Sequence, residues 1–218
     1  MSQEKKLASI LTKTTLKLHE MGLNHGATGN CSCRDGNTFL ITPSGVEIED
    51  LSPEKMVRMD FEGNVIDSKL NLKPSSEWRF HQDIFSQRKE IGAVIHTHSI
   101  YASTASLFNK ELPPFHYMIA VAGGDSVRCA PYAMFGTQKL SDNIINALVG
   151  RKACLIANHG LVTIGESLEE ALQISEEIEH LCRLYIEAKK IGDPNLLTKK
   201  EMIEVIERFQ TYSRHSKD

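Results

Sequence analysis

The sequence lacks long hydrophobic runs, blocks of one charge and a leader-like start. No apolar stretch reaches the roughly 18 residues of a membrane-spanning helix, and the opening MSQEKKLASILTKTTLKLHE has neither an unbroken apolar core nor a small-residue cleavage site. Lys and Arg number 25 and Asp and Glu 28, with the signs mixed along the chain, so the basic stripe typical of nucleic-acid binding is missing. We therefore predict a cytoplasmic protein that binds neither membrane nor nucleic acid.

A regular cysteine framework is missing as well. The five cysteines are odd in number and scattered, which argues against a disulfide framework. Cys31 and Cys33 form a C-x-C that is one residue short of the usual zinc-knuckle spacing and has no second pair. We predict that both are small packed residues of a strand.

What is present is typical of one ordinary globular domain. Of 218 residues, 41% are apolar and 24% charged, and no repeat or low-complexity linker divides the chain. A chain of this length can bury a single sizeable core. We predict one domain over residues 1–218.

Hydrophobic spacing and turn residues indicate helices that alternate with short strands. Gly22 ends a first amphipathic helix, and Ser167 with Glu170 and Thr198 with Glu201 form capping boxes before two late helices. Ser75 and Ser76 are candidate N-caps of a helix at residues 77–89. The predicted strands cover residues 31–34, 38–42, 93–98 and 154–157. Strands flanked by helices favour an α/β sandwich.

Two histidines close a predicted strand. Side chains alternate along a strand, so His96 and His98 point to the same side and can share an ion. His159 ends another apolar strand, and Glu77 opens a helix. Three nitrogens and one oxygen suit zinc or a neighbouring divalent ion. Taken singly, each of these residues is more often a surface or structural one, and so are the histidines at positions 19, 25, 81, 116, 180 and 215.

Three segments offer the backbone N–H groups and hydroxyls that bind phosphate: Gly29-Asn30, Ser44-Gly45 and Ser75-Ser76. Each is also an ordinary turn signal. The third adjoins Glu77, so a phosphate held there would place an attached sugar beside the metal.

Six runs, in order and spacing, closely resemble the class II aldolase/adducin family. They are GLNHGATGNCSCR, LITPSGV, KPSSEWRFHQDIF, GAVIHTHSIYA, FHYMIAVAGGDSVRCAPYAMFGT and ANHGLV. The runs resemble the family's aldolases that act on L-fuculose 1-phosphate, and a resembling group acts on 5-deoxypentulose 1-phosphates such as 5-deoxyribulose 1-phosphate. The resemblance implies a three-layer α/β/α sandwich with a mainly antiparallel central sheet. It also implies a homotetramer with active sites between neighbouring subunits.

The resemblance assigns roles residue by residue. Glu77, His96, His98 and His159 match the metal ligands, with Zn²⁺ expected and Mn²⁺ an alternative. Gly29, Asn30, Ser44, Gly45, Ser75 and Ser76 match the phosphate-binding segments. Glu77 and Tyr117, the latter lent by a neighbouring subunit, match catalytic residues, and Phe135, Phe209 and Tyr212 match those that shape the aldehyde end. The implied reaction is the reversible cleavage of a ketose 1-phosphate to dihydroxyacetone phosphate and a short aldehyde.

Other members of the same family provide the alternatives. A pentulose-5-phosphate 4-epimerase resembles this pattern with Asp at the position of Glu77, a related dehydratase lacks that glutamate, and a non-catalytic adducin-like binding module should lack the metal set. Ser44, Asp125, Arg128 and Asn158 depart from the aldolase pattern, where threonine, asparagine, proline and histidine occur. These departures leave open which ketose 1-phosphate is the substrate.

Overall fold

The computed structural model describes residues 3–215, without the side chains of residues 3, 4, 210 and 212–215. Its helices are α1 Gln3–Glu20, α2 Trp78–Gln87, α3 Ile100–Ser106, α4 Gln138–Ala147, α5 Leu168–Ile191 and α6 Lys199–His215. Three 3-10 helices cover Ile48–Asp50, Pro53–Lys55 and Tyr117–Ala122. The strands are β1 Asn30–Asp35, β2 Thr38–Ile41, β3 Val57–Asp60, β4 Val65–Asp67, β5 Ala93–Thr97, β6 Arg128–Ala130, β7 Ala153–Ile156 and β8 Gly160–Gly165.

All eight strands form one sheet in the order β4-β3-β2-β1-β5-β8-β7-β6. Six of the neighbouring pairs are antiparallel, and only β6 with β7 is parallel. The strands predicted at residues 31–34 and 38–42 are confirmed, and they form a hairpin in which Asp35 pairs with Thr38. The central sheet is therefore mainly antiparallel, as predicted.

Apolar side chains project from both faces of the sheet, because successive side chains of a strand point to opposite faces. In β7, Cys154 and Ile156 pack in a cluster with residues of α2 and α4, whereas Ala153 and Leu155 pack in another cluster with α5. A third cluster joins α1 and the start of α5 to β1, and it contains Cys31 and Cys33 as packed strand residues. Helices thus cover both faces, and the predicted three-layer α/β/α sandwich is confirmed.

The late helices begin as their sequences predict. Ser167 accepts a hydrogen bond from the backbone N–H of Glu170, and Thr198 and Glu201 accept from each other's backbone N–H groups. The prediction of Ser75 or Ser76 as the N-cap of α2 is wrong, because Glu77 occupies that position. The hydroxyl of Ser75 instead accepts from the backbone N–H of Glu77 at 3.3 Å, in a turn that places this carboxylate at the helix start.

Within residues 3–215, no helix has the length and apolar character needed to cross a membrane.

Candidate metal centre

Strand pairing brings the three histidines together. His96 lies in β5, His98 follows that strand, and His159 occupies the turn between β7 and β8. Because β5 and β8 are antiparallel neighbours, with Thr97 opposite Leu161, the end of β5 lies beside the start of β8. The two histidine segments are 61 to 63 residues apart in the chain and meet where β5 ends and β8 begins, in the middle of the strand order.

Glu77 completes the cluster from the start of α2. One ligand atom from each of Glu77, His96, His98 and His159 lies within 4.8 Å of the others. The Nε2 atoms of His96 and His98 are 2.9 Å apart, Glu77 Oε2 is 3.2 Å from His96 Nε2, and Glu77 Oε1 is 3.4 Å from His159 Nε2. The structure therefore brings together all four residues predicted to bind the metal.

These spacings fit a tetrahedral ion. Ligands about 2.0–2.1 Å from zinc and at tetrahedral angles lie roughly 3.3 Å from one another. The three imidazole rings are nearly perpendicular to one another, with interplanar angles of 73°, 84° and 79°. Their edges therefore point toward one another, and the rings do not stack. Glu77 Oε1 is buried and lacks a hydrogen-bond partner within the described chain, which is expensive for a carboxylate unless a cation faces it.

Hydrogen bonds behind the cluster orient the ligands. His96 Nδ1 donates to the backbone carbonyl of Leu161 at 2.9 Å, which directs Nε2 toward the cluster. The backbone N–H of His98 donates to the side-chain oxygen of Asn24 at 3.0 Å. The hydrogen bonds that hold His96 and His98 in place are thus made on the side facing away from the cluster.

The protonation states also favour metal binding. Burial, and then the neighbouring His96, lower the pKa of His98 and of His159 to about 4, so both rings are neutral at pH 7. Burial by itself raises the pKa of Glu77, but His96 and His159 and the hydrogen bonds from His96 and Asn30 outweigh it and lower the pKa to about 2. Neutral imidazoles and an ionised carboxylate are the forms that ligate metals.

A chain of buried polar side chains leads away from Glu77. Asn30 Nδ2 donates to Glu77 Oε2 at 3.0 Å, Asn30 Oδ1 lies 2.5 Å from His81 Nε2, and Ser32 Oγ lies 2.7 Å from His81 Nδ1. The sequence pattern did not indicate His81, which is fully buried. Its spacing of four residues from Glu77, which places two side chains on one helix face, was the available signal.

The metal residues open into a cavity of about 390 Å³. All six residues predicted to bind phosphate line it, and so do Glu77, His98, His159 and Phe135. The structure brings these six together as well. The backbone N–H of Ser44 donates to Lys73 and that of Ser75 donates to Thr42, so the second and third segments are held side by side. Tyr132 and Asn158 also line the cavity, and the sequence pattern did not indicate Tyr132.

Tyr117 and Phe209, two of the other predicted aromatic residues, lie outside this cavity. Tyr117 begins the 3-10 helix 117–122, has 52% of its surface exposed and is not among the cavity-lining residues. Phe209 packs against the apolar cluster around α5. Tyr212 belongs to α6, but its side chain falls outside the description. A single chain therefore joins the metal and phosphate residues. Of the aldehyde-end residues whose side chains the structure describes, it brings Phe135 to them and leaves Phe209 elsewhere.

Comparison with known proteins agrees with this geometry. A family model described as "Class II Aldolase and Adducin N-terminal domain" matches residues 9–186. The 5-methylthioribulose-1-phosphate/5-deoxyribulose-1-phosphate aldolase of Rhodospirillum rubrum is 44% identical over 192 residues, which cover 88% of this chain and 86% of that protein. The L-fuculose phosphate aldolase of Escherichia coli strain K12 is 42% identical over 211 residues, which cover 96% and 97%. A solved structure of an L-fuculose 1-phosphate aldolase matches with a TM-score of 0.91 at 38% identity, over 96% of this chain and 98% of that one.

Proposed function

The chain belongs to the class II aldolase and adducin family, and from that premise we propose that it reversibly cleaves a ketose 1-phosphate between C3 and C4. The products are dihydroxyacetone phosphate and a short aldehyde. One observation carries the proposal: a three-histidine, one-carboxylate cluster and three phosphate-binding segments line or adjoin the same cavity. A sugar phosphate anchored at the segments would present its carbonyl end to the cluster.

Class II aldolases use a divalent metal, and the cluster of Glu77, His96, His98 and His159 could hold one. We propose Zn²⁺, since three nitrogens and one oxygen at these spacings suit it, with Mn²⁺ as the alternative. When bound, such an ion acts as a Lewis acid and offsets, by several kcal/mol, the negative charge that develops on the substrate as C3–C4 breaks. The buried, unpartnered Oε1 of Glu77 supports this assignment.

Proton transfer is assigned to two residues. Breaking C3–C4 requires that the C4 hydroxyl lose its proton and that C3 later gain one. We assign the first task to Tyr117 and the second to Glu77, which lines the cavity. In the condensation direction the ionised Glu77 carboxylate would take the proton from C3. In cleavage the carboxyl, once protonated, would return that proton to C3, so the proton lost by the C4 hydroxyl is balanced by the one that C3 gains. Each general acid-base step contributes roughly 10² to 10⁴ in rate.

The phosphate segments act on orientation. Gly29, Ser44, Gly45 and Ser76 offer backbone N–H groups and hydroxyls at the cavity wall. Binding energy from a phosphate remote from the reacting carbons can hold those carbons in the reactive position. We therefore expect these residues to act chiefly on substrate binding.

Assembly completes the proposal. Tyr117 is exposed and absent from the cavity lining of its own chain, which supports delivery of this tyrosine from a neighbouring subunit. We propose a homotetramer whose active sites lie between subunits, with Phe209 and Tyr212 shaping the aldehyde end. Residues 1–218 would form the single domain of each subunit, and the cytoplasmic location stays a prediction.

The substrate is a 1-phosphate of L-fuculose or of a 5-deoxypentulose, since the similar proteins carry both names. The test offers L-fuculose 1-phosphate, 5-deoxyribulose 1-phosphate, 5-methylthioribulose 1-phosphate and ribulose 5-phosphate to the metal-loaded protein. We expect dihydroxyacetone phosphate from at least one 1-phosphate. Failure on all of them contradicts the aldolase, and epimerisation of ribulose 5-phosphate would favour the epimerase instead. A protein without bound metal by elemental analysis would favour the adducin-like module.

A further inference from the structure

His81 occupies a position that the proposed reaction does not explain. Its ring is completely buried between β1 and α2, lies 4.5 Å from the Phe80 ring, and has both nitrogens in hydrogen-bond contact. A buried histidine with one polar partner is common. Here the two partners, Ser32 and Asn30, lie in the strand that pairs with β5, and the second partner leads to Glu77.

The direction of each hydrogen bond follows from Glu77. Its ionised carboxylate can only accept, so Asn30 must present its NH₂ group to Glu77 Oε2. The Asn30 oxygen then faces His81 Nε2, which must carry the proton and donate it. Nδ1 of the neutral ring is left as an acceptor, and the Ser32 hydroxyl donates to it. The three hydrogen bonds that link Glu77, Asn30, His81 and Ser32 therefore have one consistent set of donors and acceptors.

We propose that His81 is a positioning residue: it holds the amide of Asn30 in one orientation and, through Asn30, holds the carboxylate of Glu77 at the metal cluster. This rests on the proposed role of Glu77 as metal ligand and proton carrier. Without the N–H of His81, the Asn30 amide can turn over and point its oxygen at Glu77 Oε2. Two acceptors would then face each other, and Glu77 would lose the orientation that leaves Oε1 directed at the cluster.

The test compares two replacements of His81. His81→Phe keeps a ring against Phe80 but removes both hydrogen bonds, whereas His81→Gln returns an amide N–H near the position of Nε2. Loss of a partner behind a metal ligand typically costs about 10- to 100-fold in metal affinity or activity. We expect a loss of that size in both Zn²⁺ affinity and kcat for His81→Phe, a smaller change in KM, and substantial recovery in His81→Gln. The visible spectrum of the Co²⁺-substituted protein should change in the Phe variant and return toward wild type in the Gln variant.

A purely structural role predicts a different pattern. Phe85→Leu serves as the matched control, because Phe85 is a fully buried ring in the same helix and packs in the apolar cluster away from the cavity. It should lower Tm while leaving Zn²⁺ affinity and the Co²⁺ spectrum unchanged. If His81→Phe behaves in the same way, the proposal is overturned.

A double-mutant cycle tests the route through Asn30. If His81 acts only through that amide, His81→Phe should have little further effect on Zn²⁺ affinity in an Asn30→Leu background, since the two effects belong to one contact. Additive losses would overturn the proposal.

A second variant covers the case in which His81→Phe does not fold. Ser32→Ala removes one hydrogen bond to the ring and keeps the ring itself. It takes the place of His81→Phe in the cycle and should give a smaller loss of Zn²⁺ affinity. An unchanged Zn²⁺ affinity and Co²⁺ spectrum in Ser32→Ala then overturns the proposal. Wild-type protein measured in parallel separates the proposed aldolase function from the proposed role of His81. If the wild type binds no metal or cleaves no 1-phosphate, the proposed function is contradicted and the role of His81 is not.

Discussion

The metal cluster and the aromatic residues assigned to catalysis differ in how much one chain does for them. Glu77 and His96 are buried, and hydrogen bonds with Asn30 and Leu161 orient them. Pairing of β5 with β8 brings His96 close to His159. Tyr117 is half exposed and lies on a 3-10 helix outside the cavity lining. The comparison teaches that one chain holds the metal and phosphate half of the proposed site in place, while the half that needs Tyr117 depends on assembly.

The largest expected effect comes from replacing residues of the buried metal cluster. Glu77→Gln and His96→Ala should each lower kcat/KM by roughly 10³-fold or more, because an ion that offsets developing charge supplies several kcal/mol. His96→Ala should also lose the metal, measured by elemental analysis of the purified variant. His25→Ala, at an exposed histidine outside the cluster, is the control. Full activity of a chelated, metal-free wild-type sample would contradict the assignment.

The next test breaks the exposed half. Tyr117→Phe should lower kcat by about 10²- to 10⁴-fold, as for loss of a general acid or base, while metal content stays unchanged. Tyr185→Phe, in the apolar cluster at α5, is the matched control. Loss of metal in Tyr117→Phe would indicate a structural role instead.

Mixing the two inactive variants sharpens the comparison. Subunits of Glu77→Gln and Tyr117→Phe that reassemble together would form some sites with both wild-type residues, provided that each site takes its tyrosine from a neighbour. We expect partial recovery of cleavage in the mixed sample, measured as dihydroxyacetone phosphate release. No recovery, with mixed oligomers shown by mass spectrometry, would place both residues in the site of one subunit.

A glycine pair tests how the phosphate segments support the metal half. Gly29 and Gly45 have similar positive φ angles, 72° and 68°, so alanine costs both about the same backbone strain, on the order of 1 kcal/mol. A Cβ at Gly29 would lie 2.4 Å from the Asn24 amide, which holds the backbone of His98, whereas nothing lies within 4 Å at Gly45. Gly29→Ala should therefore show the lower Tm and weaker Zn²⁺ affinity. Equal losses in the two variants would exclude this coupling.

The smallest expected effect is on the stability of the metal-free protein. His98 and His159 have pKa values lowered to about 4 in the folded chain, against about 6.5 when unfolded. Between these values the unfolded chain binds more protons, so stability should fall as pH drops from 6.5 toward 4. Each kcal/mol lost should lower Tm by about 2–4 °C. The difference in Tm between pH 7 and pH 5, measured by thermal unfolding with a chelator present, gives the size of this loss. Replacing both His98 and His159 by Gln should reduce the dependence of Tm on pH.

Local patterns predicted most of the regular structure. The N-cap at Ser167, the capping box at Thr198 and the neighbouring strands β1 and β2 are confirmed because each depends on residues close together in the chain. In the predicted box at Ser167, the Glu170 carboxylate accepts from the backbone N–H of Glu166. The unpredicted elements include β3 and β4, and three others whose local signals are weak. α4 has Thr137 as N-cap but Leu140, not Glu or Gln, at the third helical position, β6 has three residues, and β8 begins and ends with glycine.

The sequence by itself determined that His96 and His98 point the same way, because alternation along a strand needs no information about the rest of the fold. It also marked each phosphate segment as a turn or helix start. Only the tertiary structure decided that His159 and Glu77 join the pair, since pairing of β5 with β8 and the turn before α2 set those distances. The same holds for His81, because its proposed role depends on hydrogen bonds to Asn30 and Ser32, which lie about 50 residues away in another element. Long-range pairing determines which polar groups share a buried space, and no local pattern contains that information.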